Sequence, residues 1–211
     1  MIGVPRGTRS ISGLFLSSST GGPGPRHMTP TPLPSTSPIE RVVLLGFMAA
    51  GKTAVGAELA RRLGWAHLDL DREIERREGR TVAAIFAAEG EGRFRELEAR
   101  ATAELASRSR VVLSPGGGWI TGAGNLEALG PGTLAVWLQV SPGEAVRRAG
   151  AAPGERPLLA GSDPLEAARR LLEARAPLYA RAGLHVDTEG RSPGEVAAII
   201  QTELRARGGP F

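Results

Sequence analysis

No cysteine occurs among the 211 residues, so disulfide frameworks, thiolate metal sites and cysteine nucleophiles are all excluded. Lysine is almost absent as well: of the 26 Lys and Arg residues, every one but Lys52 is arginine. The three histidines, His27, His67 and His185, are far apart in sequence, which argues against a histidine-rich metal cluster. Aromatic residues make up 4% of the chain, too few for the stacking platforms on which single-stranded nucleic acids lie. No run approaches the roughly eighteen apolar residues that a membrane span needs, so a soluble protein with no membrane partner is expected. Acidic residues are missing from one region. Residues 1–39 hold Arg6, Arg9 and Arg26 against no Asp or Glu, so they carry +3 of the formal +4 and leave +1 on the rest. A body this close to neutral is not expected to bind nucleic acid.

What remains, 41% hydrophobic and 23% charged, suits one α/β domain, and the length leaves no room for two of ordinary size. Residues 1–38 are rich in Ser, Thr, Gly and Pro and have no helical or strand periodicity. They are expected to be a disordered extension without function, or an overlong reading of the start with Met28 as the true beginning. Their arginines and lack of acid give a faint likeness to an organelle transit peptide, but their Gly and Pro oppose the amphipathic helix such a peptide forms.

From residue 39 to 211, short apolar runs alternate with longer amphipathic stretches, the pattern of strands joined by crossover helices in a mainly parallel sheet. Residues 41–46 read as a strand buried on both faces. A helix follows over about 51–63, with Val55, Leu59 and Leu63 on one face and Gly64 just past its end. Further strands are expected near 66–69, 111–113, 134–140 and 184–186. Helices are expected across 72–77, 82–88, 93–107, 142–149, 164–182 and 192–207, the last capped by Ser192.

Gly46-Phe-Met-Ala-Ala-Gly51-Lys52-Thr53 fits the pattern G-x-x-x-x-G-K-[ST], after a buried strand and opening a helix, where a phosphate-binding loop has to be. Glycines let successive N–H groups turn toward phosphate oxygens, and the helix N-terminus adds favourable potential. Lys52 would reach the β and γ phosphates, and the Thr53 hydroxyl would ligate Mg²⁺. Gly46, Ala49, Ala50, Gly51, Lys52, Thr53 and Ala54 are therefore expected to bind ATP. The loop alone does not name the acceptor, because ATPases, GTPases and small-molecule kinases share it.

Four more clusters follow, and with them the chain from about Arg41 to Ala206 resembles the shikimate kinase family. Asp69-Leu-Asp71 with Ile74-Glu75 looks like the family's D-x-D and Ile-Glu pair; Asp69 would hold Mg²⁺, and Asp71 would meet the acceptor's hydroxyls and serve as the base. On local sequence alone, the lesser alternative is that Asp71 is only the cap of the next helix. Phe94-Arg95-x-x-Glu98 is similar to F-R-x-x-E, which implies that Arg95 binds the acceptor's carboxylate, with Glu98 orienting it and Phe86 as an apolar wall. Gly116, Gly117 and Gly118 would let backbone approach the acceptor. Arg156 resembles the arginine of the family's lid, here about 150–162, which meets the transferring phosphoryl group. Arg148, or its neighbour Arg147, resembles the arginine that packs on adenine. Arg175-Ala-Pro177-Leu-Tyr179 resembles R-x-P-x-Y, whose arginine is the second clamp on the carboxylate.

The resemblance implies transfer of the ATP γ-phosphoryl group to the 3-hydroxyl of shikimate, a step of chorismate and aromatic amino acid biosynthesis, by a cytoplasmic monomer. It also implies a three-layer α/β/α fold of the nucleoside-monophosphate-kinase type, with five parallel strands in the order 2-3-1-4-5. Ala49 and Ala50 depart from the family's usual glycine and serine. A gluconate-type kinase would share the phosphate loop but not F-R-x-x-E and R-x-P-x-Y together. A non-catalytic nucleotide sensor would not need every one of these side chains.

Overall fold

The computed structural model describes residues 38–151 and 163–208. The expected extension lies outside the described residues except for Pro38, as does the expected lid, Arg156 included, except for Gly150 and Ala151. Five strands, β1 (Arg41–Leu45), β2 (Ala66–Asp69), β3 (Val111–Ser114), β4 (Thr133–Gln139) and β5 (Leu184–Asp187), form one sheet. All neighbours run parallel in the order β2-β3-β1-β4-β5, as the resemblance implied. The helices are α1 (Lys52–Leu63), α2 (Leu70–Glu78), α3 (Val82–Leu105), α4 (Asn125–Ala128), α5 (Pro142–Ala151), α6 (Pro164–Tyr179) and α7 (Pro193–Ala206), with a 3₁₀ turn at Trp119–Thr121.

β1 is the central strand and every residue of it is buried, which is why its sequence after Arg41 is a continuous apolar run. Successive side chains on a strand point to opposite faces. Val42 and Leu44 enter a core with Val55 and Leu59 of α1 and Val196, Ile200 and Leu204 of α7. Val43 and Leu45 enter a second core with Leu70 and Ile74 of α2 and Ile85 and Phe94 of α3. Each of these side chains contributes roughly 1.5–3 kcal/mol when fully buried. At the start of β1, buried Arg41 is satisfied by Thr133 Oγ1 and by the carbonyls of Arg108 and Pro131.

Several boundaries differ from the expectation by a few residues, among them the end of α6, at Tyr179 rather than 182. Helix α2 begins at Leu70 rather than near Arg72, because Asp69 at the end of β2 caps it, accepting from Arg72 N–H at 3.3 Å. Asp71 is thus not the cap. The 3₁₀ turn and α4 were not expected, being too short to carry a period; they are pinned by buried Trp119, whose Nε1–H donates to Thr102 Oγ1 at 2.9 Å. The two helices expected at 82–88 and 93–107 run on as α3, broken at Gly90, where φ is 79° and ψ 178°.

Helix caps separate α1 from its peers. Thr81, Asp163 and Ser192 cap α3, α6 and α7 with side-chain oxygens, and Ser141 Oγ accepts from Glu144 N–H at the start of α5. Helix α1 begins instead at Gly51, with φ 91° and no side-chain cap. Among the described helices longer than one turn it alone leaves its first N–H groups without a side-chain cap. No described helix is long and apolar enough to cross a membrane.

Candidate active site

The strand order places the ends of β1, β2 and β3 around one cavity of about 500 Å³. The phosphate loop forms one wall with Ala49, Gly51, Lys52, Thr53 and Ala54; Asp69 and Asp71 form another; Gly116, Gly117, Gly118 and Arg175 face them. In the loop the backbone is left-handed at Gly51, and at Ala49 as well, where φ is 59°. Alanine pays about 1–2 kcal/mol for that conformation, so this departure from the family pattern is felt in the backbone. Lys52 Nζ donates to the carbonyls of Gly46 and Phe47, both at 3.0 Å, which folds the ammonium over the loop. At Gly46, φ is 149° and an added Cβ would fall 2.6 Å from the Leu138 carbonyl oxygen. Gly46→Ala should therefore lower stability by on the order of 2 kcal/mol; an unchanged denaturation midpoint would contradict the close approach.

Thr53 Oγ1 donates to Asp69 Oδ2 at 2.8 Å, joining the first turn of α1 to the end of β2. Asp71, in the first turn of α2, is pushed up to about 6 by burial and by the neighbouring Asp69 carboxylate, against the opposing pull of Lys52. Its Oδ1 is buried and has no hydrogen-bond partner among the described residues. It faces Gly116, where an added Cβ would stand 3.1 Å from that oxygen.

Arg95 does not line the cavity. It stands against the glycine run, with its Nη2 2.6 Å from where a Cβ on Gly118 would be. Its guanidinium donates to Glu91 Oε1 at 2.7 and 3.1 Å and to Glu98 Oε2. Glu91, one turn before it, was not singled out from the sequence, where it reads as part of a charged helix surface. Glu98 is fully buried and is raised to about 7 by that burial, with Arg95 opposing the rise. Phe86 is exposed and packs against Phe94 in a tilted pair, with ring centroids 4.9 Å apart. Arg175 reaches the same glycine run from α6, its Nη1 donating to the Gly117 carbonyl at 3.3 Å. The Tyr179 hydroxyl donates to that carbonyl at 2.6 Å. The two arginines thus meet neighbouring residues of one glycine run from two different helices.

A second cavity of about 410 Å³ adjoins the loop on its other side, lined by Ala50, Arg148, Thr188 and Pro193 among others. Arg148 faces it, bonded to Glu144 at 2.6 Å, to the Thr188 carbonyl at 2.9 Å and to the Ala49 carbonyl at 3.4 Å. Arg147 lines the same cavity, bonded to Glu144 and with its side chain 69% exposed against 24% for Arg148. The two arginines thus differ in burial and in partners, not in the cavity they line. Thr188 was not anticipated, being 40 residues from the arginine it holds.

The shikimate kinase family profile matches residues 48–205. A shikimate kinase of Moorella thermoacetica is 46% identical over 165 residues, 78% of this chain and 94% of that protein. One from Thermus thermophilus is 46% identical over 170 residues, 79% of this chain and 91% of that protein. Among solved structures, a shikimate kinase from Acinetobacter baumannii in complex with shikimate superposes with a TM-score of 0.74 at 38% identity, covering 80% of this chain and 94% of that one.

Proposed function

The chain belongs to the shikimate kinase family and is an ATP-dependent kinase of shikimate, and from that premise we propose how its own residues divide the work. The observation that carries the reading is the shared cavity: the uncapped start of α1 with Lys52 lies across from Asp71 and Arg175, so donor and acceptor can meet within one enclosure. Gly46, Ala49, Ala50, Gly51, Lys52, Thr53 and Ala54 cradle the triphosphate, and Arg148 meets the adenine in the adjoining cavity. Arg95 and Arg175 hold the acceptor's carboxylate, with Gly116, Gly117 and Gly118 as the floor between them.

Arg175 and Arg95 orient the acceptor so that its 3-hydroxyl faces both Asp71 and the γ-phosphorus. The hydroxyl oxygen forms the new P–O bond as the bond to the ADP oxygen breaks, and the hydroxyl proton passes to the Asp71 carboxylate. Lys52 stabilises the charge on the phosphoryl oxygens. Arg156 is assigned the same task from its sequence position alone.

Thr53 Oγ1 and Asp69 Oδ2 are two hard oxygens on the cavity wall, which suits Mg²⁺, an ion that fills its other positions with water and phosphate oxygens. Bound there, it would neutralise charge on the β and γ phosphates. The protein is read as a cytoplasmic monomer, as its resemblance to the family implies. We take residues 39–211 as the catalytic domain and 1–38 as an extension to it.

The test is ADP release with MgATP and shikimate, quinate, gluconate or water as acceptor. Rapid release with shikimate alone is expected; release with gluconate instead, or with none, would overturn the acceptor assignment. Arg175→Ala should raise the KM for shikimate by about 100-fold, the scale of a lost charge-assisted bond, and leave the KM for ATP within a few-fold. Equal effects on both would remove the clamp.

A further inference from the structure

One cluster beside the cavity is not used by the mechanism above. Ser114, at the end of β3, is 2% exposed, and its hydroxyl donates to the Lys52 carbonyl at 3.0 Å. His67 Nε2 lies 3.0 Å from the same hydroxyl oxygen. A serine hydroxyl has one proton. Since Ser114 gives it to Lys52, its oxygen can only accept from His67, and the ring must carry its hydrogen on Nε2. The imidazole is wedged against α1 where that helix has no side chain: a Cβ on Gly56 would fall 2.5 Å from Ser114 Oγ and 2.6 Å from His67 Nε2. Gly56 thus makes room for a three-part chain, His67 to Ser114 to the Lys52 carbonyl.

The acceptor at the end of that chain is half of a peptide plane. In a trans peptide the carbonyl of Lys52 and the N–H of Thr53 point in opposite directions and turn together. A carbonyl tied back to β3 leaves the Thr53 N–H, one of the orphan donors at the uncapped start of α1, facing the cavity that Thr53 lines. A donor already aimed at its anion costs no reorganisation when the anion binds. The hydroxyl bond is also strengthened, because an oxygen that accepts from one partner donates better to the next. The strand β2 therefore grips the first turn of α1 twice, through Asp69 on the Thr53 hydroxyl and through His67 and Ser114 on the Lys52 carbonyl.

We propose that His67 is a positioning residue for the phosphates of the nucleotide, acting through Ser114 to fix the Lys52–Thr53 peptide with its N–H toward them. This rests on the reading of the loop as the nucleotide site. The test is calorimetric binding of MgADP, with the KM for ATP and for shikimate and the melting temperature measured alongside. His67→Phe keeps a ring and loses the donor; it should weaken MgADP about fivefold, the scale of one lost hydrogen bond, and raise the KM for ATP in step. The KM for shikimate should stay within about twofold, a split that general loosening of the fold would not give. His67→Gln, which keeps an N–H, should recover most of the affinity. Ser114→Ala should lose as much as His67→Phe, and the two together no more than Ser114→Ala alone. If His67→Phe does not fold, Ser114→Ala reads the same link with little change of volume. Unchanged MgADP binding in either variant, an equal rise in both KM values, or losses that multiply in the double variant would overturn the proposal. A wild-type chain that binds no MgADP would remove the nucleotide site on which it rests.

Discussion

Lys52→Met should lower kcat by about 10³-fold, the cost of removing a donor aimed at charge that develops in the transition state, while the fold is kept. Methionine has similar reach and no charge, and the side chain lies over the loop rather than in either core, so the melting temperature should change little. Arginine is the commonest cation of this protein, yet a guanidinium is planar and cannot sit between the carbonyls of Gly46 and Phe47 as a compact ammonium does. Lys52→Arg should therefore be nearly as poor as Lys52→Met. Single-turnover measurements with bound ATP would check both; activity within tenfold of wild type in either would mean that the ammonium is not where charge accumulates.

Asp71→Asn should combine a loss and a gain. The loss is catalytic: without a carboxylate to take the hydroxyl proton, kcat should fall by about 10²–10⁴-fold. The gain is in stability, and its sign follows from the carboxyl being raised to about 6 in the folded chain from an ordinary 3.8. A folded state that holds its proton more tightly than the unfolded one loses stability as pH rises through that window, and the deficit persists above it. The asparagine variant has no such deficit, so at pH 8 it should exceed wild type by on the order of 2 kcal/mol, and the difference should fade below the ordinary carboxylate range. The wild-type rate should also fall as pH drops through the same window. Glu98 is raised to about 7 nearby, so the acid limb belongs to the two carboxyls together. Urea midpoints and pH–rate profiles would check this; a variant less stable than wild type at pH 8 would mean that Asp71 is held by interactions that its burial hides.

The features that could be read from sequence alone are those with local causes. The phosphate loop, the buried β1 and the Ser192 cap each follow from a few adjacent residues. The break in α3 showed as a gap between two expected helices because Glu89-Gly90-Glu91-Gly92 carries no apolar period. The order of the strands did not come from periodicity, since parallel crossovers look alike in either direction along a sheet; it came from the resemblance. The supports of the site were hidden by distance along the chain. Ser114 meets Lys52 across 62 residues and Arg175 meets Gly117 across 58, and nothing near any of these residues marks its partner. The early start of α2 escaped for the opposite reason: Asp69 both ends a strand and caps a helix, and a single residue with two roles blurs the boundary between them.

The two cores on opposite faces of the sheet also bear on how such a protein can change. The α1, α5 and α7 face carries the residues proposed to meet the nucleotide, and the α2 and α3 face carries Asp71, Arg95 and Glu98. Side chains buried deep in the two cores share few partners, so the stability effects of substitutions in the two should add. A lineage could then retailor the acceptor face for a different alcohol, or a designer could graft one, while the phosphate-handling half is inherited intact.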